Sequence, residues 1–185
     1  MNNTHSWNIS NILSASRIIL LVPITLFLFQ QTELATTISF LLMLIAIGTD
    51  FFDGYLARKL NQVTDVGKIL DPLADKICIV TVAMTLMILG KIPLWFLLLI
   101  FARDVLIFSG GMYVKLSKGI LLVSNQAGKW TVTIVTFTIL VSLFQTQPNS
   151  FLLSALFVLS SVLLVFSFIL YLKRFLETIK NTSQN

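Results

Sequence analysis

Charge is scarce in this chain. Only 11% of its 185 residues are charged, against 56% that are hydrophobic, and mean hydropathy is +0.91. A soluble domain carries about 25% charged residues, so the balance argues against a soluble globular protein and for one that lives in a bilayer. Cysteine and histidine occur once each, as Cys78 and His5. A single cysteine excludes an intrachain disulfide, and Cys78, inside an apolar run, is expected as a small buried hydrophobe. His5 sits in the polar N-terminus and is not expected to take part in catalysis. The first ten residues contain no lysine or arginine, so no secretory leader is expected there. Asn2 and Asn8 match the glycosylation pattern, which matters only with that terminus outside the cell.

The hydrocarbon that is present comes in long runs, and six of them approach the roughly 20 residues needed to cross a bilayer. They cover 11–29, 34–57, 71–89, 94–114, 128–144 and 151–171 within one domain, 1–185. Pro23 is expected to bend the first run, and Trp7 to sit at headgroup level before it. Asp71-Pro72 suits the first turn of the third run, where a missing N–H costs nothing. Beyond the sixth run the tail from Lys173 turns basic and then polar. Lysine and arginine alternate between connections. One set carries Arg58, Lys59, Lys68, Lys115, Lys118, Lys173, Arg174 and Lys180, and the other only Lys91. The positive-inside rule then places both termini on the cytoplasmic side of the cell inner (plasma) membrane. The fold class expected is an all-α membrane protein, a six-transmembrane-helix bundle. The net charge of +5 suits anionic membrane lipids, and no motif supports nucleic acid as a partner.

Five of the eight acidic residues fall in one 26-residue stretch, Asp50 to Asp75, reading DFFDGYLARKLNQVTDVGKILDPLAD. Carboxylates bordering apolar helices are costly and usually functional. Asp50 and Asp53 are spaced i,i+3, and Asp71 and Asp75 i,i+4, so each pair shares a helical face, where like charges repel unless a cation intervenes. Three explanations stand at this point: a divalent metal site, an ion path through the membrane, or structural carboxylates. Oxygen-only ligands without histidine or cysteine favour Mg²⁺ or Mn²⁺. A cation transporter using the same aspartates is the non-enzymatic alternative.

The stretch resembles the signature of the CDP-alcohol phosphatidyltransferases, membrane enzymes of phospholipid synthesis. The matching residues are Asp50, Asp53, Gly54, Ala57, Arg58, Gly67, Asp71 and Asp75, with eight residues between Arg58 and Gly67. No element of the pattern is missing. The resemblance implies a transferase with two divalent metals per active site, Mg²⁺ or Mn²⁺, held by Asp50, Asp53 and Asp71 with Asp75 beside them. It implies that Asp75 is also the general base. Asp50, Gly54, Ala57 and Arg58 would line the pocket for CDP-diacylglycerol, and the site would face the cytoplasm.

The acceptor is less constrained. Arg103 lies deep in an apolar run and needs an anionic partner; the adjacent Asp104 is expected to point elsewhere. A structural carboxylate and a phosphate on the acceptor are both open for it. Lys129 and Arg17 carry the same two readings. The segment from Ala57 to Ile77 resembles bacterial phosphatidylglycerophosphate synthases of this family, whose acceptor is glycerol 3-phosphate. It also resembles the family's cardiolipin synthases, whose acceptor is phosphatidylglycerol, and Asp104 in place of the usual glutamate leans that way. Glycerol 3-phosphate is the preferred expectation. Gly110-Gly111 would permit close helix contact, with a homodimer as one use of it.

Overall fold

The computed structural model describes residues 9–59, 67–119, 126–144 and 150–182; along 9–15, 50–59, 67–75, 118 and 181–182 it describes the backbone alone. Trp7, Asn2, Asn8, His5 and the polar segment 60–66 lie outside the described residues. The described chain holds six helices and no strand. They are α1 (Ile9–Gln30), α2 (Glu33–Lys59), α3 (Gly67–Ile88), α4 (Leu94–Lys118), α5 (Gln126–Leu143) and α6 (Phe151–Thr182).

Each expected run is a helix, and the differences lie at the ends. Pro23 stands within α1, which continues on both sides of it. α3 begins at Gly67, one turn before the expected start, so Pro72 sits in the second turn. The opening N–H groups of a helix have no intrahelical acceptor. The chain upstream of Pro72 therefore coils while forfeiting only the bond that the Pro72 nitrogen would have made. α4 leaves an extended Pro93 and stops at Gly119, whose φ of 67° is left-handed and whose N–H reaches the Lys115 carbonyl at 3.0 Å. That is the glycine-terminated helix end. α6 runs eleven residues past the expected end at 171. Segment 172–182 has no glycine or proline to stop it, and Phe175, Leu176 and Ile179 continue the helical spacing. At about 1.5 Å per residue this helix is roughly 48 Å long, well beyond the ~30 Å hydrocarbon thickness.

The chain divides into two compact units, Met1–Leu89 and Gly90–Asn185. In the first, α1 packs against both α2 and α3. α1 buries Arg17, Leu21, Ile24 and Leu28, one face at i, i+4, i+7 and i+11. α2 buries Ala35, Ser39 and Met43 at four-residue steps, and the Ser39 hydroxyl donates to the Ile24 carbonyl at 3.3 Å. Cys78 is half-buried rather than fully enclosed.

In the second unit α6 packs against α4 and α5. Its partners rise along both helices in the α4 pairing: Phe96 with Phe157, Arg103 with Ser167, Ile107 with Tyr171. α4 and α6 are therefore parallel. Against α5 the order reverses, with Thr131 bonded to Leu163 and Thr138 to Ser160, so α5 and α6 are antiparallel. The Gly110 Cα lies so near α6 that a Cβ there would stand 3.2 Å from the Tyr171 hydroxyl. The glycine pair thus serves a contact inside the chain. From the α3–α4 turn, the Lys91 ammonium donates to the carbonyl of Leu143 at the end of α5. This supplies a donor to an orphan helix carbonyl.

Polarity is distributed as lipid selects. Ser39, Thr131, Thr138, Ser142, Ser160 and Ser167 are buried, while Ile19, Leu26, Phe108, Val158 and Val162 are exposed. Buried hydroxyls bond across helices or back to their own turn, as bilayer-embedded helices require. Among the described residues two helical segments are long and apolar enough to cross a membrane, Leu94–Ser117 and Phe151–Lys180.

Candidate active site

The eight motif residues fall on two helices that share a partner. Asp50, Asp53, Gly54, Ala57 and Arg58 occupy the last three turns of α2, and Gly67, Asp71 and Asp75 the first turns of α3. Both helices lean on α1. In helical period, Asp50 comes two turns after buried Met43, and Asp75 two turns before buried Val82. The side chains of these seven candidates (Asp50, Asp53, Gly54, Ala57, Arg58, Asp71 and Asp75) lie outside the described residues. Their placement on α2 and α3 at three- and four-residue steps is what the backbone supplies. The donor set consists of hard carboxylate oxygens and fits a divalent cation such as Mg²⁺ or Mn²⁺.

Arg17 is in the same unit, on the buried face of α1, with 3% of its surface exposed. A guanidinium at that depth is costly, and polar partners must offset the cost.

Arg103, in the other unit, is 9% exposed. Its Nη1 donates to Asp104 Oδ1 at 2.7 Å and its Nη2 to Ser167 Oγ at 3.3 Å. The expectation that Asp104 points elsewhere is wrong. Neighbouring helical side chains diverge at Cβ, but a guanidinium on three methylenes reaches sideways far enough to meet the next residue's carboxylate. The ion pair is enclosed, with side-chain exposures of 9% and 13%. The Arg103 Nε is buried and has no hydrogen-bond partner among the described residues. Such an orphan N–H is costly and calls for an acceptor oxygen, from water or from a ligand.

Lys129 stands in the first turn of α5 and is exposed. The two acceptor candidates of this unit thus have different environments, one enclosed and one open. Near the same end of α5, a cavity of about 420 Å³ is lined by Gln126, Ala127, Leu170, Lys173, Arg174 and Glu177. Lys173 and Arg174 had read as a basic tail. Their place on a wall became visible only once α6 was seen to continue. Ser167 was also missed, since an isolated serine in an apolar run carries no signal until α4 and α6 are set in register.

The CDP-alcohol phosphatidyltransferase family model matches residues 7–172. The chain belongs to that family. It is a membrane phosphotransferase, and the complete signature on α2 and α3 sits inside the matched region. Among its relatives, a protein of Aquifex aeolicus is 36% identical over 169 residues, covering 89% of this chain and 90% of that protein. One from Rickettsia typhi is 40% identical over 125 residues, 65% of this chain and 67% of the relative. One from Mycoplasma genitalium is 29% identical over 193 aligned positions, 88% and 81% of the two lengths. All three are named CDP-diacylglycerol–glycerol-3-phosphate 3-phosphatidyltransferase.

Proposed function

We propose that the protein transfers the phosphatidyl group of CDP-diacylglycerol to glycerol 3-phosphate, giving phosphatidylglycerophosphate and CMP. The observation that carries this reading is the likeness to the Aquifex relative of that name over nine tenths of both chains. The intact eight-residue signature on α2 and α3 supports it.

Asp75 is the general base in this reading, as the resemblance of its motif implies. It takes the proton of an acceptor hydroxyl as that oxygen bonds to the β-phosphorus of CDP-diacylglycerol, and the bond from that phosphorus to CMP breaks. Asp50, Asp53 and Asp71, with Asp75 beside them, would hold two Mg²⁺ or Mn²⁺ ions. Bound there, such ions offset the charge of the diphosphate and of the departing CMP. Gly54, Ala57 and Arg58 would line the nucleotide pocket, with the Arg58 guanidinium as a cation for its phosphates. Arg103 is the acceptor-phosphate ligand in this reading, because its buried Nε–H lacks a partner. Lys129 and Arg17 are the further acceptor-binding candidates. The six helices form a six-span bundle in the plasma membrane, with both termini and the aspartates on the cytoplasmic side.

Purified protein in mixed micelles with CDP-diacylglycerol and Mg²⁺ is expected to release CMP when glycerol 3-phosphate is added. CMP release with phosphatidylglycerol alone would move the assignment to a cardiolipin synthase. Aspartate-dependent cation flux without any CMP would replace it with transport.

A further inference from the structure

Two rungs lock α4 to α6, and both join residues 64 positions apart: Arg103 to Ser167, and Ile107 to Tyr171. The upper rung is unusual in its chemistry. Ser167 is 1% exposed, and its hydroxyl proton goes to the Leu164 carbonyl of its own helix at 3.0 Å. Only its lone pairs remain, so towards Arg103 it is an acceptor and nothing else. One turn further along, the Tyr171 hydroxyl donates to the Ile107 carbonyl at 2.9 Å, with Gly110 beneath its ring. This second rung prevents α6 from sliding and keeps the serine oxygen at its station.

The guanidinium is therefore held at two points. Nη1 is committed to Asp104 and Nη2 gives one proton to Ser167, while Nε–H is enclosed and unpartnered among the described residues. A guanidinium has five N–H donors in a rigid plane. Fixing both terminal nitrogens fixes where Nε–H and the second proton of Nη2 point. Those two protons form one edge, suited to two oxygens of a phosphate monoester.

We infer that Ser167 is a positioning residue for the acceptor: it orients Arg103 so that the Nε/Nη2 edge is presented to the acceptor's phosphate. The inference rests on Arg103 being the acceptor ligand, and it adds a residue that touches no substrate. Without the serine oxygen, Asp104 alone holds the plane. The guanidinium can then rotate about that single contact, and the edge is presented only part of the time.

The test is steady-state CMP release by the full-length protein in micelles, varying glycerol 3-phosphate and CDP-diacylglycerol separately for wild type, S167A, S167C, R103K and S167A/R103K. The expected result is a KM for glycerol 3-phosphate raised about 5- to 30-fold in S167A, the effect of losing one or two kcal/mol. The KM for CDP-diacylglycerol and the melting temperature should stay near wild type. S167C, near in size but a poor acceptor, should behave alike and serves where S167A is recovered poorly. In the double variant the serine change should add little, since the group it orients is gone. An S167A enzyme with an unchanged KM for glycerol 3-phosphate overturns the positioning role, as does one with both KM values raised together. Should R103K leave that KM unchanged, the acceptor role of Arg103 fails instead, whatever Ser167 does.

Discussion

The two halves of the chain handle polar groups in opposite ways. In α1–α3 every acidic group but Glu33 is gathered into the 26 residues from Asp50 to Asp75. Among the described residues there, the Ser39 hydroxyl bonds across to the Ile24 carbonyl of α1. In α4–α6 the polar groups are spread along the seams: Arg103 and Tyr171 tie α4 to α6, Thr131 and Thr138 tie α5 to α6, and Lys91 ties the α3–α4 turn to α5. The first half concentrates like charge, which on the proposed reading is offset by bound cations. Among the described residues of the second, buried side-chain polar atoms find partners within the half, apart from Arg103 Nε. On the proposed reading, chemistry at phosphorus uses the former and an anion receptor the latter.

The largest break in that contrast should come from D75N. Loss of a general base is expected to lower CMP release by about 10²–10⁴-fold, and D53N should be similarly impaired through its cations. Full activity in both variants would sink the assignment of the first half. Chelation comes next. EDTA should abolish CMP release and added Mg²⁺ or Mn²⁺ restore it, with the melting of α4–α6 unmoved because no carboxylate pair of that half awaits a metal. An enzyme indifferent to EDTA would mean that the aspartates are structural.

Smaller effects probe the second half. Thr138 Oγ1 and Ser160 Oγ are 2.7 Å apart and buried. The cycle of T138V, S160A and the double variant should show a coupling of about 0.6–1.7 kcal/mol in unfolding measurements, the range for hydrogen bonds between membrane helices. Additive variants would mean that the seam is packing alone. The least effect is expected from K91M, which removes the donor to the Leu143 carbonyl and should cost about 0.5–1 kcal/mol. Burial pushes the Lys91 pKa below its ordinary 10.5. Between the lowered value and 10.5 the unfolded chain binds more protons, so stability rises with pH through that window. In K91M this alkaline rise should vanish from the denaturation profile, and its persistence would assign it to another group.

Much of the first half was legible from residues alone. The signature is contiguous in sequence, so its spacing on helices follows from period, and its helices were expected where they occur. The second half was not legible in the same way. Arg103 stood out because a cation in hydrocarbon is conspicuous, yet its real partners could not be inferred. Asp104 was dismissed on Cβ direction, although the flexible arginine reaches it at 2.7 Å. α6 continues to Thr182, past the expected span end at 171, because charge ends the hydrocarbon and not the helix.

By itself the sequence determined the class of the protein and singled out the candidate carboxylates of its donor site. Composition dictates the solvent, and helical period alone puts Asp50 with Asp53 on one face of α2 and Asp71 with Asp75 on one face of α3. Tertiary structure alone decided what holds Arg103. Ser167 and Tyr171 lie 64 residues from their partners on α4, and only the parallel packing of α4 on α6 sets the register that brings them within a hydrogen bond.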